Sequence, residues 1–169
     1  MIQKYLENSK GDKLKLVLKK LLEMVVPLCK CQFGNYIMQY IVEHGPVEEK
    51  NAVLAVVKAN FINLSLDKFA SNVVEKAIRN SNDFYRKELL QVLQAPSLNN
   101  QYILVLYSIG LVVLAQGQFS NYVIQRFLEY CDRTTQKNIM ALINEGSNLT
   151  AIKDSQFGRH VLSQIEKYR

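Results

Sequence analysis

Asn35 and Gln39 stand four residues apart, as do Asn121 and Gln125, and Ser71 and Glu75 share the spacing. On an α-helix that spacing places both side chains on one face, a turn apart. An Asn–Gln couple offers amide donors and carbonyl acceptors together. That set matches the Watson–Crick edge of uracil, which shows acceptor, donor, acceptor. An ionised Glu offers acceptors only, and one carboxylate can accept both N1–H and N2–H of guanine. Tyr36 and Tyr122 follow directly after the first member of two of the couples, and Asn72 holds that place in the other. A tyrosine there supplies a flat face on which a base can stack. Any one of these groups alone reads better as solvated surface. Three sets of one geometry point to base recognition.

The sets lie in a phrase that recurs. QFGNYIMQYIVEHG begins at Gln32, DKFASNVVEKAI at Asp67, GQFSNYVIQRFLEYC at Gly117 and SQFGRHVLSQIEKY at Ser155. The aromatic residues Phe33, Phe69, Phe119 and Phe157 are spaced by 36, 50 and 38 residues. A period in the high thirties within helical sequence is the mark of a solenoid. Helical stretches at Val47–Ala59, Asp83–Gln94 and Asp132–Asn144 fill the intervals, so each unit reads as about three helices. With Asn35 at zero and about 100° per residue, Gln39 falls at about 40° and Tyr36 at about 100°. Phe33, Ile37, Tyr40 and Ile41 fall between about 140° and 240°. The expectation is an amphipathic helix whose apolar face, the four phenylalanines included, lies in the core, with the recognition sets exposed on one concave face.

Only seven Gly and three Pro occur in 169 residues, which favours helices over many short strands. Hydrophobic residues form 49% of the chain, too many for a disordered tail. The net charge of +6 weakly favours a polyanionic partner. Cys29, Cys31 and Cys131 are odd in number, and no secretory signal is recognisable; both point to a reducing compartment, taken as the cytoplasm. Cys29, Cys31 and His44 fit no common zinc spacing and are expected to be buried thiols and a plain histidine. No cofactor is implied. No phosphate-cradling glycine loop occurs, and His44 and His160 have no obvious nucleophile or acid partner, so an enzyme is not expected. The uncharged stretch Tyr102–Gln116 is too short in its apolar part for a membrane span, which needs about 20 residues, and reads as a buried first helix of a repeat after a longer loop.

The phrases FGNYIMQYIVEHG, KFASNVVEKAI and FSNYVIQRFLEYC resemble the RNA-reading helices of the sixth, seventh and eighth repeats of the Pumilio (PUF) family. SQFGRHVLSQIEKY resembles its terminal cap, and the opening IQKYLE the end of a fifth reading helix. The resemblance implies an all-α fold, a right-handed α-solenoid of three-helix repeats corresponding to the C-terminal half of the family's domain. It is divided as a remnant at 1–20, repeats at 21–58, 59–94 and 95–144 (the last with a long insertion), and a cap at 145–169. It implies sequence-specific binding of single-stranded RNA, as in regulators of translation acting at mRNA 3′ untranslated regions. Asn35 and Gln39 would read uracil with Tyr36 stacking, Ser71 and Glu75 guanine beside Asn72, and Asn121 and Gln125 a second uracil with Tyr122 stacking. In the family the RNA runs antiparallel to the repeats, so these spell 5′-UGU-3′. Gln3 would be all that remains of a further set, and Arg159, His160 and Ser163 occupy the corresponding places in the cap, where Arg159 and His160 are lesser candidate contacts. The loop Ala95–Gln101 is a candidate protein-docking element, and the N-terminal end a candidate for self-association. The competing expectation is a HEAT- or armadillo-like protein scaffold without RNA specificity.

Overall fold

A computed structural model describes residues 12–95 and 110–168, with side chains from Leu14 onward. Gln3, the N-terminal end expected to self-associate, and the candidate docking loop beyond Ala95 lie outside the described residues. These contain α-helix, one short 3-10 helix and no strand. Contacts divide the chain into two compact units, Met1–Asn80 and Ser81–Arg169.

The first unit contains α1 (Asp12–Leu22), α2 (Val25–Lys30), α3 (Gly34–His44), α4 (Val47–Ala59), α5 (Phe61–Ser65) and α6 (Ala70–Asn80). Helix α3 packs against α2, α4 and α6, and α2 also touches α5. With neighbours on several sides, α3 buries a wide band: Gly34, Asn35, Met38, Ile41 and Val42. Gly45 and Pro46 stop it, and Pro46 leads into α4 without needing the backbone N–H that proline lacks. Lys30 Nζ donates to Asn63 Oδ1 at 3.0 Å, tying α2 to α5.

The second unit contains α7 (Asp83–Gln94), α8 (Gly110–Gln116), α9 (Ser120–Tyr130), α10 (Arg133–Asn144), α11 (Asn148–Asp154) and α12 (Gly158–Ile165), with the 3-10 turn Glu166–Tyr168. Helix α9 packs against α8 and α12, and α8 also touches α7 and α11. The expected buried first helix is present as α8, with Gly110, Leu111, Val112, Leu114 and Ala115 buried; the rest of Tyr102–Gln116 lies outside the described residues. Asn82 and Asp132 cap α7 and α10, accepting from Tyr85 N at 2.9 Å and Thr135 N at 2.7 Å. Among the described residues no helix is long and apolar enough to cross a membrane.

The repeated phrase has a structural reason at its first helical position. A Cβ at Gly34 would stand 2.7 Å from Leu28 O, and one at Gly158 would stand 2.1 Å from Ile152 O. Ser120 fills the same place in α9, and its Oγ donates to Leu114 O at 2.8 Å. The short helix before each of these three helices thus presents a carbonyl six residues back, and only a small residue or a donor fits beneath it.

Two expectations fail here. The four phenylalanines are not core residues: Phe33 is 74% exposed, and Phe69, Phe119 and Phe157 are half-buried. Phe33, Phe119 and Phe157 are the N-cap residues of α3, α9 and α12, so they precede the helical face that packs. Of the three thiols, Cys29 and Cys131 are buried but Cys31 is exposed, because it ends α2 in the turn leading to α3.

Candidate nucleic-acid interface

In α3, Asn35 is 2% exposed rather than solvent-facing. Its Nδ2 donates to Cys31 O and to Gln32 O, both at 2.9 Å. Carbonyls only accept, so this pair of hydrogen bonds fixes the amide and turns Oδ1 toward Gln39. Gln39 Nε2 donates to that oxygen at 2.9 Å. Helix α9 repeats the arrangement. Asn121, also buried, donates from Nδ2 to Gly117 O at 2.9 Å and Gln118 O at 2.8 Å, and Gln125 Nε2 donates to Asn121 Oδ1 at 3.0 Å.

The chemical consequence differs from the expectation of an exposed pair. The asparagine holds the turn that starts the helix and orients the glutamine. The half-buried glutamine spends one Nε2 hydrogen on the asparagine and carries besides it an acceptor, Oε1, and a second N–H donor. Tyr36 and Tyr122 lie one residue further round and are more than half exposed.

Helix α6 is built otherwise. Ser71 is buried, and its Oγ makes only a long contact of 3.4 Å to Lys68 O. The carbonyls of the starting turn are taken by exposed Asn72, whose Nδ2 lies 3.3 Å from both Lys68 O and Phe69 O. Asp67 Oδ1 supplies the cap, accepting from Phe69 N and Ala70 N at 2.9 Å each. Glu75 is half-buried at the place held by Gln39 and Gln125. Next to it, Lys76 Nζ donates to Glu43 Oε2 at 2.8 Å, a bridge between α6 and α3 that holds the Glu43 carboxyl below its usual range. The sequence reading did not anticipate this bridge, although a basic residue directly after the second member of the set recurs as Arg126, which pairs with Glu129 in α9.

In α12, Arg159, His160 and Ser163 hold the three places and all are exposed. Burial pushes the Cys29 thiol up to about 12, while Cys31 is lowered by the backbone N–H groups of Gly34 and Phe33. Among the described residues no cluster of His, Cys, Asp and Glu has the makings of a metal site.

The family model for the Pumilio-family RNA binding repeat matches residues 25–57, 60–93 and 111–143, more than half of the chain. The chain belongs to the Pumilio family. Pumilio homolog 12 of Arabidopsis thaliana is 26% identical over 98% of this chain and 25% of its own length. Pumilio homolog 1 of the same plant is 32% identical over 89% of this chain and 15% of its own. Two solved domains share the fold. PUF-8, in complex with PBE-RNA, superposes with a TM-score of 0.85 at 20% identity, over 99% of this chain and 46% of its own. Puf3, bound to a Cox17 RNA 3′ UTR recognition sequence, gives 0.78 at 22% identity, over 98% of this chain and 44% of its own. This Pumilio-family chain therefore has the all-α repeat fold of the family, and spans less than half of these solved domains and a quarter or less of these plant relatives.

Proposed function

We propose that this chain binds single-stranded RNA, one base per repeat, and prefers a 5′-UGU-3′ core. The observation that carries the reading is the duplicated Asn–Gln couple of α3 and α9, each glutamine held by a buried asparagine beside an exposed tyrosine. A glutamine fixed in this way meets uracil with an acceptor and a donor in set positions. Glu75 in α6 meets guanine with two acceptor oxygens. Relatives solved with RNA, PUF-8, Puf3 and yeast Puf5p among them, support an RNA ligand. The 3′ UTR site named for Puf3 supports an mRNA target of that kind. The repeats act by binding, and no catalytic step is assigned to them.

Mechanistically, α9, α6 and α3 take the first, second and third bases, because the RNA runs antiparallel to the repeats in the resembling family. Tyr122 and Tyr36 stack on the two uracils, each contact contributing about 1–3 kcal/mol. Asn72 lacks a ring and leaves the guanine to its edge contacts with Glu75 and Ser71. The test is a titration of a labelled UGU-containing RNA against the same RNA with ACA in its place. A preference for UGU of about tenfold or more supports the reading. Equal binding overturns it and leaves the protein-scaffold alternative, which has no observation of its own.

A further inference from the structure

Helices α6 and α3, which carry the proposed guanine set and the proposed second uracil set, lie in the first unit and pack directly on one another. Each buries an apolar band: Met38, Ile41 and Val42 on α3, and Val73, Val74 and Ala77 on α6. Apolar contact resists separation but is not directional. By itself it leaves packed helices some freedom to slide past one another. Sliding would change the distance between Gln39 and Glu75, and a reader of adjacent bases needs that distance fixed.

One polar contact opposes such sliding. Asn35, Gln39 and Glu43 stand four residues apart on α3, each about 40° further round, so Glu43 is the next turn of the line that carries the set. Lys76 follows Glu75 directly on α6. Lys76 Nζ donates to Glu43 Oε2 at 2.8 Å, and the two side chains are only 22% and 33% exposed. A partly shielded pair is screened less by salt than a fully exposed one. His44 Nε2 lies 3.7 Å from the same carboxylate oxygen, and Arg79 adds a nearby positive charge. The pairing is not a general habit of the repeated phrase. In α9, Glu129 holds the place of Glu43 but pairs with Arg126 of its own helix. In α12, Gln164 holds the place of Lys76 and donates to the Tyr168 hydroxyl at 3.1 Å. Arg86–Asp83 lies within α7, and Lys87–Asp132 joins α7 to α10, helices that carry no set. Lys76–Glu43 joins two helices that do.

We infer that Lys76 and Glu43 are positioning residues: their bridge holds α3 against α6 at the one-nucleotide spacing from which Glu75 and Gln39 read adjacent bases, and neither side chain touches the RNA. This rests on the UGU reading, in which those bases are the guanine and the uracil 3′ of it.

The experiment compares an RNA with a contiguous UGU core with one in which a single abasic spacer separates the guanosine from the 3′ uridine. An ACA-core RNA is the control for recognition. Dissociation constants come from fluorescence anisotropy for the wild type, Lys76→Met, Glu43→Gln, the double variant and Lys76→Arg, each checked by circular dichroism. In the wild type the spacer should weaken binding by about fivefold, within the range of coupling between groups that act as a unit. Lys76→Met and Glu43→Gln should each bring that ratio down to about twofold or less, and the double variant should go no lower, the pattern of two residues acting through one contact. Lys76→Arg keeps a cationic donor and should retain the wild-type ratio. Glu43→Gln preserves shape, so the outcome does not hang on the folding of Lys76→Met. A bridge that only added stability would lower the melting temperature of the variants and leave the ratio alone, and that result overturns the inference. So does an effect of Lys76→Met with none from Glu43→Gln, which would make Lys76 a direct phosphate contact. A wild-type ratio near one overturns it before any variant is made. Equal binding of UGU and ACA by the wild type overturns the underlying reading, and this inference with it.

Discussion

Asn35 and Gln39 look alike in sequence but act differently in the fold, and substitutions should separate them. Asn35→Ala removes the side-chain donor to Gln32 O and to Cys31 O, the latter keeping the backbone N–H of residue 35. The expected loss is about 1–3 kcal/mol of stability, together with the uracil preference, because Gln39 loses its anchor. Gln39→Ala should leave stability almost unchanged and remove the preference alone. Urea unfolding and RNA competition, run on both variants, check this; equal stability losses would contradict it. The helical register of each set could be read from four-residue spacing alone. The burial of Asn35, Ser71 and Asn121 could not, because it depends on which helices lie alongside. That correction bears on the exchange Ser71→Asn, Asn72→Tyr and Glu75→Gln, which tests the code. Ser71 sits in a buried slot, but the same slot holds asparagine in α3 and α9. The exchange should therefore fold, as checked by circular dichroism, and shift preference from UGU toward UUU by about tenfold, the scale of a polar mismatch of about 1–3 kcal/mol. Unchanged discrimination would show that this set does not read the base.

Helix limits were the most readable feature. Val47–Ala59 and Asp83–Gln94 match α4 and α7, and Asp132 proves to be the cap of α10 rather than its first residue. Polar caps and apolar periodicity are local signals, so they survive without knowledge of the partners. The phenylalanines misled because their recurrence reflects the turn before the helix and not its packed face. The caps carry two predictions. Asn82→Ala removes the acceptor for Tyr85 N and should cost about 1 kcal/mol in thermal or denaturant unfolding. Asp132 is held down to about 2, first by the Thr135 backbone N–H and further by its hydroxyl and by Lys87, against an ordinary 3.8. A depressed carboxyl contributes stability that is fully present above its unfolded value and is lost as pH falls through its folded one. The contribution of Asp132 should therefore fade between about pH 4 and pH 2. Asp132→Asn keeps a capping oxygen that does not titrate, so its unfolding curves should change less over that window. Identical acid profiles for the two proteins would rule the cap out as a source of acid sensitivity.

For the chain taken whole, the three proposed base-reading sets would limit affinity more than specificity. Stacking by two tyrosines and edge contacts to three bases must offset the ordering of a flexible RNA strand. Binding of a UGU-containing RNA is expected in the micromolar range or weaker, about −8 kcal/mol at 1 μM, and should weaken with salt. Titration with the monomeric state checked by sedimentation tests this, and nanomolar binding by a monomer would contradict it. The repeat period and the family resemblance made the fold readable before any coordinates. The 50-residue interval concealed the rest, since an apolar, uncharged stretch carries neither caps nor periodicity by which to place it.

The anchoring of Gln39 and Gln125 also has a thermodynamic consequence. A free glutamine side chain samples many rotamers, and immobilising one at an interface costs about 0.5–1.5 kcal/mol. In α3 and α9 the bond to asparagine removes much of that freedom before any ligand arrives. The two uridine stations should consequently bind with a smaller entropic penalty than a variant in which Asn35 and Asn121 are both replaced by serine. Calorimetry would register the difference as a more unfavourable binding entropy in the variant, even where hydrogen bonding to the base is retained.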